Sequence, residues 1–67
     1  MTAPTHSFAT VTGRWVGTRR VQVQREDGGS EVVESATEQA DEVGVGDRVE
    51  LELDSNGRAV DWRRVAS

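Results

Sequence analysis

Hydrophobic and polar residues alternate along much of this chain, with the period of two that characterises a half-buried β-strand. The alternation is clearest in residues 48–54, where Val49, Leu51 and Leu53 fall on one side of an extended chain and charged residues fall on the other. Such a segment buries its apolar side chains in a core and exposes its charges to water. The pattern predicts a strand over residues 48–54.

Four further segments have the composition or the alternation of strands: residues 8–18, 19–25, 31–34 and 58–65. Gly13 and Gly17 interrupt the first of them, which is typical of a strand that bends or bulges around a small barrel. Turn signals separate the segments, because residues 26–30 contain two glycines and the Asn56-Gly57 dipeptide favours a tight hairpin with positive backbone φ. The chain therefore predicts five strands.

One helix is predicted between the third and the fourth strand. Ser35 and Glu38 have the spacing of a capping box, in which the serine side chain accepts a hydrogen bond from a free backbone N–H and the glutamate reaches back to the cap. Gly44 then ends the segment. The sequence predicts a short helix from Ala36 to Glu42.

Three strands, a short helix and two more strands is the element order of the five-stranded oligonucleotide/oligosaccharide-binding (OB) barrel. A chain of 67 residues has room for one domain with a small core. We therefore predict an all-β fold, a small OB-like barrel over residues 8–66 with one short helix between strands 3 and 4. An SH3-like barrel is the alternative. Residues 1–7 are predicted to form a flexible tail.

Part of the sequence resembles a family of small RNA-binding barrels. Residues 43–53, with the sequence VGVGDRVELEL, and residues 57–60, with the sequence GRAV, are similar to the second half of these barrels. The family includes the smallest bacterial translation initiation factor and the N-terminal barrels of ribosome-assembly GTPases. The resemblance extends loosely over residues 8–65. It implies an OB-type barrel and a function in RNA binding.

The sequence contains no set of residues with the make-up of a catalytic or metal centre. There is no cysteine, and the one histidine, His6, lies in the predicted tail, where nothing orients it as a base. Glu50 and Glu52 face solvent beside Arg48 on the predicted fourth strand, where nothing marks them for acid–base catalysis. We predict a non-catalytic protein without a metal ion or another cofactor.

The sequence also predicts where the protein acts. Residues 1–7 are polar and lack the basic start and the apolar stretch of a secretory signal. No segment approaches the run of about 20 apolar residues that a membrane span needs. We expect a cytoplasmic or virion-internal location and no membrane partner.

Charge is divided unevenly along the chain, whose formal net charge is -4 at pH 7. Residues 1–25 hold four arginines and no acidic residue, residues 26–56 hold one arginine and eleven acidic residues, and residues 57–67 hold three arginines and one aspartate. The two basic ends also contain every aromatic residue of the chain. Basic and aromatic side chains are therefore interleaved at both ends.

Arginines interleaved with aromatic rings suit a surface for single-stranded nucleic acid, because bases stack on the rings and guanidinium groups contact phosphates. The predicted function is a small binding module for RNA or single-stranded nucleic acid, with its face on the first two strands and flanking residues on the fifth. The candidate binding residues are Arg14, Trp15, Arg19, Arg20, Gln22, Gln24, Trp62, Arg63 and Arg64.

Another interpretation of the same residues stays open at this point. Trp15 and Trp62 are also the bulk that a small barrel core needs, and the arginines can pair with the acidic middle of the chain. The function is then protein–protein interaction or a structural role, as an accessory or virion subunit that docks on a larger protein through a strand edge or its acidic face. The exposure of the two tryptophan rings distinguishes the interpretations.

Overall fold

The structure is a computed structural model that describes residues 5–65. It contains five strands and a single 3₁₀ turn. The strands are β1 (His6–Arg14), β2 (Arg20–Arg25), β3 (Ser30–Glu34), β4 (Arg48–Leu53) and β5 (Ala59–Arg64), and the 3₁₀ turn is Ala40–Glu42. The predicted all-β class with five strands is confirmed.

The five strands form one antiparallel sheet in the order β3-β2-β1-β4-β5, which curls into a half-barrel. Hairpins join β1 to β2, β2 to β3 and β4 to β5, whereas the long connection over residues 35–47 returns the chain from β3 to the far side of β1. The spatial order 4-1-2-3 of the first four strands is a Greek key. Curling brings β3 near β5, although within residues 5–65 each of these end strands is paired along one edge only.

The inward face of the half-barrel forms one apolar core. Alternate residues of neighbouring strands meet there in register, so that Val11 lies opposite Val23, and Val21 lies opposite Val33. The buried apolar residues are Ala9, Val11, Val21, Val23, Val33, Ala40, Val43, Val49, Leu51 and Trp62. Because burial of one valine or leucine side chain contributes about 1.5–3 kcal/mol, this cluster is the main source of stability.

The sheet begins earlier than the sequence predicted. His6 and Ser7 pair with Glu52 and Leu51 of β4, so these two residues belong to a strand and not to a flexible tail. The pairing places Ser7 opposite a buried leucine, which explains why it is partly buried. Residues 1–4 of the predicted tail lie outside the described residues, as does the predicted domain end at residue 66.

A β-bulge and a turn end β1 before the position that the sequence predicted. The register between β1 and β2 shifts between Val11 and Gly13, as the glycine interruption indicated. The chain then turns at Gly17, whose φ of 82° is unfavourable for a residue with a Cβ atom. The N–H of Thr18 donates to the carbonyl of Trp15 (3.1 Å), which closes the turn. Trp15 therefore stands in a loop and not in a strand.

The predicted capping box is only half formed. The Oγ of Ser35 accepts hydrogen bonds from the N–H groups of Thr37 (3.1 Å) and Glu38 (2.8 Å), as a helix cap does. The N–H of Ser35 donates to the carbonyl of Arg19 (2.8 Å) and is not available to the glutamate. The second half of the capping box is therefore replaced by a contact with another loop.

Long-range hydrogen bonds also explain why the predicted helix over residues 36–42 shortens to the 3₁₀ turn. The N–H of Ala36 donates to the Oδ1 of Asp61 (3.2 Å), and the N–H of Ala40 donates to the carbonyl of Thr18 (2.8 Å). The N–H of Ala36 would have no partner in a helix capped by Ser35, but the N–H of Ala40 is lost to the helical bond that it would make four residues back. Within residues 5–65, no helix has the length and apolar character needed to cross a membrane.

The turn between β4 and β5 is organised by an aspartate. The Oδ1 of Asp54 accepts hydrogen bonds from the N–H groups of Asn56 (2.8 Å) and Arg58 (2.9 Å). Gly57 has a φ of 80°, whereas Asn56 does not have a positive φ. The Asn-Gly dipeptide thus marks a turn, but not a two-residue turn in which both residues have positive φ.

Candidate functional site

β2 exposes the three polar residues that the sequence analysis selected on it. Val21 and Val23 are buried in the core, so the alternation of the strand turns Arg20, Gln22 and Gln24 outward, and all three are exposed. Successive outward side chains of one strand are about 7 Å apart. The outer face of β2 is therefore a row of one guanidinium group and two amides.

Hydroxyl groups flank Gln24 on both neighbouring strands. Its partners across the sheet are Thr10 of β1 and Ser30 of β3, and both are exposed. Residues directly opposite each other on paired strands have their side chains on the same face. Three uncharged hydrogen-bonding side chains thus cross β1, β2 and β3 in one line.

Gln22 lies between a glycine and a valine. Its partners are Gly13 of β1 and Val32 of β3, and Val32 is 52% exposed. A Cβ atom at Gly13 would lie 3.5 Å from the Oε1 of Gln22. Glycine inside a strand marks a bulge or a close approach of another molecule, and this glycine sits at the bulge of β1. The residue directly opposite Gln22 on β1 therefore has no side chain, and the hydroxyl of Thr12 in the bulge donates to the backbone carbonyl of Gln22 (3.3 Å).

The β1–β2 loop places an aromatic ring and an arginine at one end of β2. Trp15 is 43% exposed, and its N–H donates to the carbonyl of Arg20 (3.2 Å) at the base of the hairpin. Arg19 is exposed, and its guanidinium group forms no ion pair or hydrogen bond within residues 5–65. The loop therefore contributes an exposed ring and an exposed arginine next to the Arg20 end of the amide row.

Hydrogen bonds from other parts of the barrel fix this loop. The N–H of Gly17 donates to the Oδ1 of Asp41 (2.8 Å). The carbonyl of Arg19 accepts hydrogen bonds from the N–H of Ser35 (2.8 Å) and from the Nε1 of Trp62 (2.9 Å). A loop held in this way presents its exposed side chains from a fixed backbone, which lowers the entropic cost of binding.

The two arginines of β2 differ in how firmly they are paired. The Nη2 of Arg20 lies 3.7 Å from the Oε1 of Glu34, and both side chains are more than half exposed, so this pair contributes only about 0–1 kcal/mol. Arg25 is mostly buried, lies 3.3 Å from Glu31 and donates to the carbonyl of Gly57 (2.9 Å). Arg20 is therefore open to a competing anion, whereas Arg25 belongs to the fold.

Arg14 has a structural role in place of the predicted nucleic-acid contact. Its Nη1 donates to the carbonyls of Val43 (2.6 Å) and Ala40 (3.4 Å) in the connection between β3 and β4. Its partner on β2 is the buried Val21, so the side chain extends toward the core side of the sheet. The guanidinium group therefore closes one end of the half-barrel and does not join the β2 face.

The residues predicted on the fifth strand are not brought to the β2 face either. Trp62 is 1% exposed, so its ring is a core residue and cannot stack on a base, which corrects that prediction. Arg63 lies opposite Glu50 of β4, and the Nη1 of Arg64 donates to the carbonyl of Glu42 (3.3 Å). In the sheet, β1 and β4 separate β5 from β2. The candidate residues of β2 and β5 thus lie on strands that are not paired with each other.

The third aromatic residue is engaged within the protein. Phe8 is 39% exposed, and the Cζ of Arg48 lies 4.9 Å from the centre of its ring. Arg48 also forms an ion pair with Glu26. One face of the ring is therefore stacked against a guanidinium group that is itself paired with an acidic side chain.

Sequence reasoning missed the neighbours of the two amides. Thr10, Gly13, Ser30 and Val32 lie beside Gln22 or Gln24 only because of the register of β1 and β3 against β2. The signal that could have found them is the hairpin register, which depends on loop length and on the bulge. The bulge moves every residue of β1 after Val11 by one position relative to β2.

A shallow depression of about 100 Å³ lies on the outside of β4 and β5. It is lined by His6, Glu50, Glu52, Asp61, Trp62 and Arg63. Pockets for organic ligands commonly occupy about 300 Å³ or more, so this depression is too small for one. No group of three or more histidine or acidic residues within residues 5–65 is arranged to hold a metal ion.

Comparisons with known proteins give no match. No family model matches the chain, and neither the curated proteins nor the solved structures include a match to it. A function for this chain therefore has to be inferred from the geometry of residues 5–65.

Proposed function

We propose that this chain is a non-catalytic binding module for single-stranded nucleic acid, above all RNA, and that the bound strand lies on the outer face of β2 and on the β1–β2 loop. The observation that carries the proposal is the exposed ring of Trp15 in the loop that enters β2 at Arg20, a strand that exposes two amides. Such rings stack on bases, and guanidinium groups bind phosphates. Arg20 adds a second cation that is only weakly paired.

The strand order supports an OB-type barrel as the setting of this face. OB barrels are five-stranded, partly open Greek-key barrels that bind oligonucleotides on the face of strands 2 and 3 and on the first and last hairpin loops. The order 4-1-2-3 with a fifth strand beside the fourth agrees with this description, and it favours the OB type over the SH3-like alternative. The proposed face is the corresponding part of the half-barrel.

The net charge limits the proposed interaction. The formal charge of -4 opposes the approach of a polyanion, and Arg19 and Arg20 are the cations that the face offers to phosphates. Two phosphate contacts to a single strand correspond to a slope of about -1.4 in a plot of log K against log salt concentration. We therefore propose binding that is weak at physiological salt and stronger at low salt.

Tryptophan fluorescence during titration with a mixed-sequence single-stranded RNA, at two salt concentrations, tests the proposal. Trp15 is exposed and Trp62 is buried, so quenching by stacked bases reports on Trp15. We expect salt-sensitive quenching that is lost in Trp15→Leu and weakened in Arg19→Ala. Arg63→Ala is the matched control, since Arg63 lies on β5. Unchanged fluorescence at low salt would contradict the proposal.

The location of the protein is proposed on the same basis as its function. A module for single-stranded RNA acts where such strands are found, in the cytoplasm or inside a virion. Localisation of the tagged full chain by fluorescence microscopy in its native host tests the first of these locations, and detection in purified particles tests the second.

The open side of the half-barrel favours a second function, protein–protein association. Val32 on β3 and Val60 on β5 are each 52% exposed, and within residues 5–65 the outer edges of both strands lack a paired neighbour. Unpaired edges with apolar side chains pair readily with another chain. The proposed partner is a second copy of the chain, whose edge strand pairs with the outer edge of β3 or β5.

Sedimentation velocity over a wide range of protein concentration tests this second function. We expect a dimer that dissociates on dilution and that is abolished by Val32→Lys or Val60→Lys. Val16→Lys is the control, because Val16 is 67% exposed but lies in the β1–β2 loop, away from both edges. A monomer at every concentration argues against association through these edges.

A further inference from the structure

We infer that Gln22 and Gln24 recognise bases, and that they give the face a preference for adenine-rich single strands. This inference rests on the proposed function, because it assigns a sequence preference to the same face. It concerns the middle of the β2 row, where the side chains are uncharged, and not the Trp15 end, where the stacking and phosphate contacts are proposed.

The hydrogen-bonding groups of a glutamine amide match those of adenine. A glutamine amide presents one acceptor and one donor group side by side, and adenine presents the complementary pair at N6 and N7. In single strands the Watson–Crick edge of adenine, N6 and N1, is also exposed and offers the same complementary pair. Cytosine, uracil and guanine also present an adjacent donor and acceptor on the Watson–Crick edge, but adenine offers an amide a second matching pair at N6 and N7.

The surroundings of the amides disfavour guanine. The best side-chain partner of the O6 and N7 acceptors of guanine is an arginine that binds both. Arg20, at one end of the row, is the proposed contact to a phosphate, and Arg25 lies on the inner face of β2, where Glu31 and the carbonyl of Gly57 hold it. The groups beside the amides are hydroxyls, glycine and valine, so neutral hydrogen bonding decides the preference.

The spacing of the two amides indicates how the bases are held. Gln22 and Gln24 are two residues apart on one face of β2, which corresponds to about 7 Å. Stacked bases follow one another at about 3.4 Å along a strand, so neighbouring stacked bases cannot each meet one amide. The two amides therefore bind either neighbouring bases that are splayed apart, as single-stranded RNA permits, or bases two positions apart in a stack.

Gly13 gives the bases access to Gln22. This residue places no side chain directly opposite the amide, and a Cβ atom there would lie 3.5 Å from Oε1, in ordinary van der Waals contact. Gly13→Ala is therefore compatible with the fold and still narrows the approach to the amide. We expect this variant to weaken adenine binding more than binding of other bases.

The experiment compares the affinities of the full-length protein for the RNA octamers A8, C8 and U8 at low salt. We expect A8 to bind at least about fivefold more tightly than C8 or U8, which corresponds to one good amide–base pair. Replacing adenosine with 7-deazaadenosine or with purine riboside removes N7 or the N6 amino group, and we expect each change to remove part of the preference.

Variants separate base recognition from general binding. Gln22→Ala and Gln24→Ala should each lower the preference for A8 and leave the salt dependence unchanged. Gln39→Ala is the matched control, because Gln39 is exposed and forms no side-chain cap in the connection before the 3₁₀ turn. The inference is overturned if Gln22→Ala and Gln24→Ala both keep the preference for A8, or if the parent chain binds the three octamers with equal affinity. Either result leaves the proposed function intact. Failure of all three octamers to bind overturns both.

Discussion

The indole Nε1 of Trp62 donates a hydrogen bond of 2.9 Å to the backbone carbonyl of Arg19. The same carbonyl accepts the N–H of Ser35, so β5, the β1–β2 loop and the end of β3 meet at one oxygen atom. Through this contact the largest buried side chain of the core also positions the loop that carries Trp15. The two tryptophans therefore have separate tasks, one in the core and one at the surface.

This separation predicts different effects of the same substitution at the two tryptophans. We expect Trp62→Phe to lower the free energy of unfolding by about 1–3 kcal/mol, because it removes buried volume and a hydrogen bond, while the carbonyl of Arg19 keeps its bond from Ser35. Trp15→Phe should change the free energy of unfolding by less than about 0.5 kcal/mol. Urea denaturation measures both values, and equal losses would show that the ring of Trp15 is part of the core.

Arg14 is expected to act on stability and not on nucleic-acid binding. Arg14→Ala removes the donors to the carbonyls of Val43 and Ala40, so we expect the free energy of unfolding to fall by about 1–2 kcal/mol. At temperatures well below its Tm, Arg14→Ala should bind single-stranded RNA with the affinity and the salt dependence of the parent chain. Denaturation and RNA titration of one preparation check both expectations, and a lower salt slope would return Arg14 to the binding face.

Asp54 makes the β4–β5 turn sensitive to acid. The pKa of its carboxyl lies below the ordinary value because it accepts hydrogen bonds from the backbone N–H groups of Arg58 and Asn56. A carboxyl with a lower pKa in the folded state stabilises that state above the unfolded pKa, and the contribution is lost as the pH falls through the folded pKa. The turn should therefore weaken in acid.

We accordingly expect Asp54→Ala to lower Tm by a few degrees at pH 7, and the difference from the parent chain to shrink as the pH falls below about 4. Asp54→Asn keeps an oxygen acceptor for the two N–H groups and should retain most of the stability at pH 7. Thermal unfolding across this pH range provides the measurement. A difference that stays constant with pH would show that ionisation of Asp54 plays no part.

The same turn predicts a contrast between two glycines. Gly57 has a φ of 80°, so Gly57→Ala should lower the free energy of unfolding by about 1–2 kcal/mol. Gly44 does not have a positive φ, and a Cβ atom there would lie 3.9 Å from the Oδ2 of Asp47, so Gly44→Ala should stay within about 0.5 kcal/mol of the parent chain. Chemical denaturation compares the pair, and equal losses would contradict the role given to backbone conformation.

Local patterns in the sequence were sufficient to predict most of the sheet. Period-two alternation located β2 and β4, and the glycines of β1 indicated its bulge, because the side chains of a strand alternate whatever the strand pairs with. The outward direction of Gln22 and Gln24 follows from the same alternation around Val21 and Val23. These properties depend on neighbours in the chain, so the sequence contains them directly.

Local sequence patterns did not predict the conformation of residues 36–42 correctly. Ser35 caps as the sequence predicted, but Thr18 accepts an N–H that a helix over residues 36–42 would need, and Arg19 accepts the N–H that a full capping box would need. Each of these partners lies far away in the chain. The tertiary structure therefore decided the conformation of this segment.

Contacts between distant segments also decided which residues form the candidate face. Trp15 and Trp62 stand next to arginines in the sequence, and both fitted either a core or a surface role. Which ring is buried depended on the pairing of β5 with β4, which sets Trp62 opposite the buried Leu51. The sequence by itself determined the strands and their inner and outer faces, because those depend on adjacent residues. Only the folded sheet decided which outer residues share a surface, because strand register and closure depend on contacts between distant segments.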